Sequence, residues 1–469
     1  MKDKTEIRLP AKAGAWYVAA SLLIKLCGMA TTPYFTRAMS ADEYGVYSLY
    51  MSWIAMLSIL TTLGLGGSAI YRGMQRFDSE GNRLLSATLG LALCSLAVFS
   101  VSAALLPSVA SELLSLPRQL VYILILQIAF DTVIALYLAR SRYLYGYRTV
   151  IGISVGSALL SLALSLALSR IYEPTATLRA MALLLATVVF AIPIAFAVLL
   201  KDARLFSKKI WGFLLRFNLP LLPHLLACSL TANIDKVMIS RVAGEGSLAS
   251  FSVAHSLGAG VNFVMVGLGS ALSPWIMRKI AQGARERVAE LTLKLTCLVA
   301  IGSLAILTLA PELFALLAPS GYIAALPSVY PITICSAVSF ISSVTATGLI
   351  RAERTALLSL CSAVGAAVNI LLNFLFLPIS FNGASLAHLF SAIASMTVGI
   401  IITRRLYRGS LIRVLPSALI LTASALLALT LYALREDIVP RAVILALMIL
   451  FAVICLFNIK NDIIEKNVQ

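Results

Sequence analysis

Charge is scarce in this chain, and negative charge most of all. Only 12% of the 469 residues are charged, and 20 are acidic. A soluble domain carries about twice that charged fraction, so a soluble globular fold is excluded. No G-x-x-x-x-G-K-[ST] phosphate loop occurs, and ATP is not used in that way. No large loop on the outer side could hold carboxylates for glycosyl transfer, and no regular run of arginines suggests a voltage sensor. Histidines number three, His224, His255 and His388, at the starts of separate helices and without metal spacing. The seven cysteines (27, 94, 228, 297, 335, 361, 455) lack paired spacing and read as small buried apolar residues, not as a disulfide or metal framework. No cofactor is implied. No energy-converting domain is visible.

Apolar residues are abundant: 60% of the chain, with a mean hydropathy of +0.96. Apolar runs of 18 or more residues read as membrane helices, and they recur throughout. The expected spans are 15–36, 45–71, 84–106, 119–139, 149–169, 180–200, 214–240, 249–275, 290–317, 326–349, 356–378, 383–403, 415–434 and 441–459. The fold expected is therefore an all-α polytopic membrane protein of about fourteen helices. The basic start, MKDKTEIRLPAKAG, is followed by a span with no small-residue cleavage site and reads as leading into a first membrane helix, not as a removed signal.

A net charge of +17 could suggest nucleic acid, but the cations sit in short loops between spans. With the N-terminus in the cytoplasm, 27 of the 37 Lys and Arg fall on the cytoplasmic side and 7 opposite, while Lys25, Lys236 and Lys294 lie within spans. The positive-inside rule accounts for that bias if both ends are cytoplasmic. No nucleic-acid partner is expected; the bilayer itself is.

Two segments repeat weakly at an offset of 204: RAMSADEYGVYS from Arg37 and RVAGEGSLASFS from Arg241. Each leads into a helix that should end in a glycine-rich turn, GLGGSA at 64–69 and GLGSA at 267–271. YRT at 147–149 and ERT at 353–355 match at an offset of 206. Two lobes of like topology plus a terminal pair follow: residues 1–200, a linker at 201–213, residues 214–403, and residues 404–469. Such repeats are common in secondary transporters, with the site between the halves.

Charges within spans mark function or pairing, because lipid disfavours them. Lys25 and Asp131 fall at similar mid-membrane depth. Either they form a buried ion pair holding the first helix to the fourth, or Lys25 faces an aqueous cavity and attracts an anionic cargo, with Asp131 as counter-ion or proton carrier. Asp235 and Lys236 are adjacent and point about 100° apart on a helix. They either snorkel to the outer interface or, with Asn233, line the cavity and take part in ion coupling. Pro220 and Pro223 should bend or break the seventh span, with His224 beside them, and a gating role is one reading. Asn369 and Asn373 share a helix face and either bond between helices or line the cavity.

Several stretches together resemble the polysaccharide transporter family: RAMSADEYGVY at 37–47, PLLPHLLACSLTANIDKVMIS at 220–240, FSVAHSLG at 251–258, GLIRAERT at 348–355 and VNILLNFLFLPISFNGASLAHLFSA at 368–392. The resemblance implies the superfamily that also holds multidrug extruders and peptidoglycan-precursor flippases, with twelve or fourteen helices. It implies a flippase for undecaprenyl-pyrophosphate-linked oligosaccharides in the bacterial inner membrane, serving O-antigen, capsule or exopolysaccharide assembly. A polysaccharide polymerase and a chain-length regulator would be partners. Lys25 would then meet the pyrophosphate–sugar head in a cationic cavity. The chain departs from the pattern at Phe381-Asn382, where a tyrosine–glycine pair is more typical. A cation-coupled multidrug exporter of the same fold is the first alternative; one central acid beside one central lysine favours an anionic cargo. A membrane enzyme that polymerises or modifies polysaccharide is the second, and the short outer loops count against it.

Overall fold

The computed structural model describes the backbone of residues 2–409 and 411–468, and the side chains of 16, 17, 19–67, 69–262, 272–409 and 411–453. Among these residues there are nineteen α-helices, three short 3-10 turns and no strand. Met1–Ala249 and Ser250–Gln469 form two compact units. The first contains α1 (Lys2–Ala38), α2 (Ala41–Thr61), α3 (Ser68–Arg76), α4 (Gly81–Leu105), α5 (Pro107–Leu114), α6 (Arg118–Tyr143), α7 (Tyr147–Ile171), α8 (Ala176–Lys201), α9 (Lys208–Asn218) and α10 (Leu222–Ala243). Helix α11 (Glu245–Gly258) runs across the division in sequence. The second unit continues with α12 (Asn262–Ala281), α13 (Arg285–Thr308), α14 (Ala310–Leu317), α15 (Leu326–Arg351), α16 (Thr355–Phe376), α17 (Gly383–Leu406), α18 (Val414–Ala433) and α19 (Ile438–Val468).

Ten helices among the described residues are long and apolar enough to cross a membrane, and the bent pair α9–α10 makes an eleventh if it is one span. Helices suit lipid because each closes its own backbone hydrogen bonds. Large apolar side chains point outward where water would penalise them: Leu105, Phe196, Leu200 and Ile379 are 65–83% exposed. The chain is thus a multi-pass membrane protein. Side chains start two helices cleanly: Ser40 Oγ accepts from Glu43 N at 3.2 Å, and Thr175 Oγ1 from Leu178 N at 3.2 Å.

Four expected spans are interrupted. The run 45–71 stops at Thr61, because 62–67 form a turn with Leu63 and Gly64 in the left-handed region (φ 54° and 63°). The run 214–240 is split into α9 and α10, bent by 56° around Pro220. The run 249–275 becomes α11 and α12, joined by a 3-10 turn over Ala259–Val261. The run 290–317 becomes α13 and α14, parted at Leu309. GLGSA at 267–271 lies inside α12 and makes no turn, unlike GLGGSA; its side chains, those of Lys2, Lys4, Arg8 and Lys12, and those of Cys455, Lys460 and Lys466 lie outside the described residues.

In the first unit α6 is central. Gln127 Nε2 donates to Thr187 Oγ1 of α8 at 2.9 Å, and Trp53 Nε1 of α2 donates to Leu114 O at 2.8 Å. Helix α1 packs mainly on α7, where Tyr34 Oη and Ser169 Oγ meet at 2.8 Å. Helix α10 belongs with this unit, lying along α2, with Ser229 Oγ donating to Ala55 O at 3.1 Å and the Asn218 amide of α9 to Leu63 O. In the second unit α15 is the most deeply buried helix and packs on α13 and α17. Asn382, at the position where glycine is more typical, ties the α16–α17 turn to the start of α15: it accepts from Ser328 Oγ at 2.6 Å and donates to Ala324 O at 2.9 Å. Four described cysteines depart from full burial, with Cys94 and Cys228 exposed and Cys27 and Cys297 half-buried.

Candidate functional site

The break after α2 opens space inside the first unit. A cavity of about 370 Å³ lies between α2, the 62–67 turn, α6 and the start of α10. Ile54 and Ser58 line it from α2, Gly64 and Gly66 from the turn, Asp131 and Thr132 from α6, and Leu225 from α10. Asp131 is its one charged lining group. The hydroxyl hydrogens nearby are committed to their own helices: Thr132 Oγ1 donates to Ile128 O at 2.6 Å, Ser58 Oγ to Ala55 O at 3.3 Å, and Thr62 Oγ1 to Ser58 O. Their oxygens keep lone pairs, so a mostly apolar cavity holds three hydroxyl acceptors around one carboxylate. That chemistry suits a proton or a small cation.

Gln127 stands one turn before Asp131 on α6 and donates to Thr187 Oγ1 of α8 at 2.9 Å. Tyr50 is fully buried on α2, and its hydroxyl has no hydrogen-bond partner among the described residues. Neither residue stood out in the sequence. A single Gln or Tyr in an apolar run carries no spacing signal.

Lys25 is exposed on the face of α1, and its helix packs on α7 and α2. Among the described residues no ion pair joins it to Asp131. The buried-pair reading, which needed helix one against helix four, therefore does not describe this structure. Asp235 does not snorkel: it is 1% exposed on α10, while Lys236 is half-buried. Asn233 is half-buried and donates to Ser229 O, one turn earlier, at 3.1 Å. Pro220 lies in the break between α9 and α10, and Pro223 occupies the first turn of α10, where a missing N–H costs least. His224 is half-buried, with Cys228 Sγ 3.8 Å from its Nδ1.

Asn369 and Asn373 have no exposed surface, so they line no open cavity. They sit on α16, which packs closely on α17, and Asn373 Nδ2 donates to Asn369 Oδ1 at 3.2 Å and to its carbonyl at 3.0 Å. The structure thus brings Asp131 to a cavity, leaves Lys25 on an open helix face, and buries the asparagine pair.

A second ionic feature escaped the sequence. Arg441 of α19, 4% exposed, makes a bidentate pair with Glu312 of α14, Nη2–Oε1 2.5 Å and Nη1–Oε2 2.8 Å. It also donates to Thr308 O at 2.7 Å. The residues are 129 apart in sequence, beyond any local pattern.

Residues 11–280, more than half of the chain, match the family described as "Polysaccharide biosynthesis protein". Residues 220–375 match the family MatE. No curated protein matches the chain. Among solved structures, the lipid II flippase MurJ in an inward closed conformation is similar with a TM-score of 0.65 and 14% identity, over 96% of this chain and 99% of its own. An inward-facing multidrug resistance MATE family transporter of the MOP superfamily gives 0.65 and 14%, over 82% and 94%. A MOP superfamily transporter from Pyrococcus furiosus gives 0.61 and 14%, over 85% and 96%. At such identity these likenesses establish a common fold.

Proposed function

The chain belongs to the polysaccharide biosynthesis protein family, and from that premise we propose that it is a flippase moving undecaprenyl-pyrophosphate-linked oligosaccharides across the bacterial inner membrane by alternating access. The family match over residues 11–280 carries this reading. Its fold is shared with a lipid II flippase, a protein whose cargo is itself lipid-linked. The product would serve O-antigen, capsule or exopolysaccharide assembly, with a polymerase and a chain-length regulator acting on the delivered units. The chain is then a transporter and catalyses no covalent step.

Lys25 supplies a cation in the apolar stretch of α1. A positive group lowers the cost of carrying a pyrophosphate through a low-dielectric interior. Asp131, with the Ser58, Thr62 and Thr132 hydroxyls in its cavity, takes the coupling cation or proton. Asp235, Lys236 and Asn233 of α10 would assist that coupling, and the break at Pro220, just before Pro223 and His224 in the first turn of α10, would let α9 and α10 change angle during the cycle.

A second reading has a specific support. The MatE match over 220–375 and the likeness to multidrug transporters fit a cation-coupled exporter. Deleting the gene should abolish surface polysaccharide and accumulate lipid-linked units in the cytoplasmic leaflet. Restoring the chain should rescue both; Lys25→Ala or Asp131→Asn, present at normal level, should not. Unchanged polysaccharide after deletion, with heightened drug sensitivity, would establish the exporter instead. Rescue by Lys25→Ala would remove Lys25 from the mechanism.

A further inference from the structure

The first unit holds another cavity, polar and of about 540 Å³, at the start of α4 and the ends of α6 and α8. Four cations, Arg83, Arg140, Lys201 and Arg204, line it against three carboxylates, Asp78, Glu80 and Asp202. Two of the cations are already paired. Arg83 Nη1 is 3.3 Å from Glu80 Oε2, and Arg204 grips Asp202 through Nη2–Oδ2 at 2.9 Å and Nε–Oδ1 at 3.0 Å. Among the described residues, Arg140 and Lys201 make no ion pair. The Nε atoms of Arg83 and Arg140 are also buried without a hydrogen-bond partner. A guanidinium N–H removed from water and left unbonded is costly. A ligand with several anionic oxygens would meet those donors, and a phosphate matches the planar fork of arginine.

A second observation identifies the carrier of that phosphate. Met181, Leu185, Val189, Ile192, Phe196 and Leu200 of α8 are 46–73% exposed and follow one another at three- and four-residue steps. They form one apolar stripe along the helix, and it ends beside Lys201. Leu144, 57% exposed, sits on the rim of the same cavity. A free anion would need the cavity alone; an amphiphile would use both. The distribution of Lys and Arg assigns this end of α4, α6 and α8 to the cytoplasm. We propose that the cavity lined by Arg83, Arg140 and Lys201 binds the phosphate of an anionic phospholipid of the cytoplasmic leaflet, whose acyl chains lie along the α8 stripe. The site takes a membrane lipid as a bound ligand, separate from any cargo, and its occupancy can be measured without transport.

The full-length protein, reconstituted in phosphatidylethanolamine vesicles doped with phosphatidylglycerol and then extracted, should retain phosphatidylglycerol selectively in native mass spectra. Lys201 is exposed, so Lys201→Gln should fold normally; it should weaken retention about fivefold, and adding Arg140→Gln should weaken it by a similar factor again. Arg354→Gln, a cation outside the cavity, should leave retention unchanged. Equal retention by wild type and Lys201→Gln overturns the proposal. So does equal retention of the two lipids. Displacement of phosphatidylglycerol by millimolar inorganic phosphate would show a soluble-anion site instead, and overturn the lipid assignment.

Discussion

A side chain on Gly45 would begin where the carbonyl oxygen of Glu245 already stands. Gly45 lies in the first turns of α2, within RAMSADEYGVYS, and Glu245 opens α11, within RVAGEGSLASFS. The two repeated segments thus meet each other backbone to backbone. The next residue of the second segment, Gly246, faces Asp42 in the same way, and a Cβ there would lie 3.2 Å from Asp42 Oδ1. Glycine at 45 is required by this approach and not by its backbone angles.

Gly45→Ala should therefore destabilise the protein, by about 1–3 kcal/mol as overpacking does. The melting temperature of purified protein would report it. An unchanged melting temperature would mean that α2 and α11 separate without cost.

Glu312→Gln should also destabilise, by about 2 kcal/mol, because Arg441 would keep its burial and lose its charged acceptor. Replacing both residues by Leu should cost less than replacing Glu312 alone, since no buried charge is stranded. Melting temperatures of the single and double variants decide it; a double variant worse than Glu312→Gln counts against the pairing as the cause.

Asp202 opens the linker 202–207. Hydrogen bonds from the Arg204 side chain, and then from its backbone, hold its carboxyl at about 2, below the ordinary carboxylate value. A depressed value means that the pairing contributes fully above about pH 4 and is lost as pH falls through about 2. Arg204 is open to solvent while the Asp202 side chain is mostly covered, so the effect is local and weakened by salt. Amide exchange in 202–207, corrected for intrinsic rates, should quicken as pH falls across that window, and Arg204→Gln should remove the dependence. Identical pH profiles for the two proteins would show that the pair orders nothing.

Sidedness can be checked with single cysteines on a cysteine-free background. Ala203→Cys and Gln282→Cys should be shielded from an impermeant thiol reagent in intact cells, while Glu173→Cys and Val242→Cys should react. The opposite pattern would invert the topology and move the proposed lipid site to the outer leaflet.

Much of the fold could be read from composition, because apolar runs and charged loops are local features. The breaks were harder. Pro220 and Pro223 pointed to the bend between α9 and α10, where proline chemistry is explicit. Pro311, in the first turn of α14, marks the break at Leu309 in the same way, but the apolar run 290–317 continues across it. GLGGSA and GLGSA looked alike, yet only the first forms a turn. The sites were less legible still. Asp131 stood out as a charge in an apolar run; Arg140 and Arg441 looked like ordinary loop charges, and Glu312 lay near the end of the expected span 290–317.

The sequence by itself determined that this chain crosses the membrane repeatedly as helices, since lipid permits little else to so apolar a chain. It also carried the family resemblance and the charge bias that orients the helices. Tertiary structure alone decided which side chains meet. A helix that is apolar on every face has no marked inner side, so its rotation is set only by its neighbours. That rotation places Asp131 on a cavity and Lys25 on an open face, buries Asn369 and Asn373, and sets Gly45 against Glu245, 200 residues along the chain.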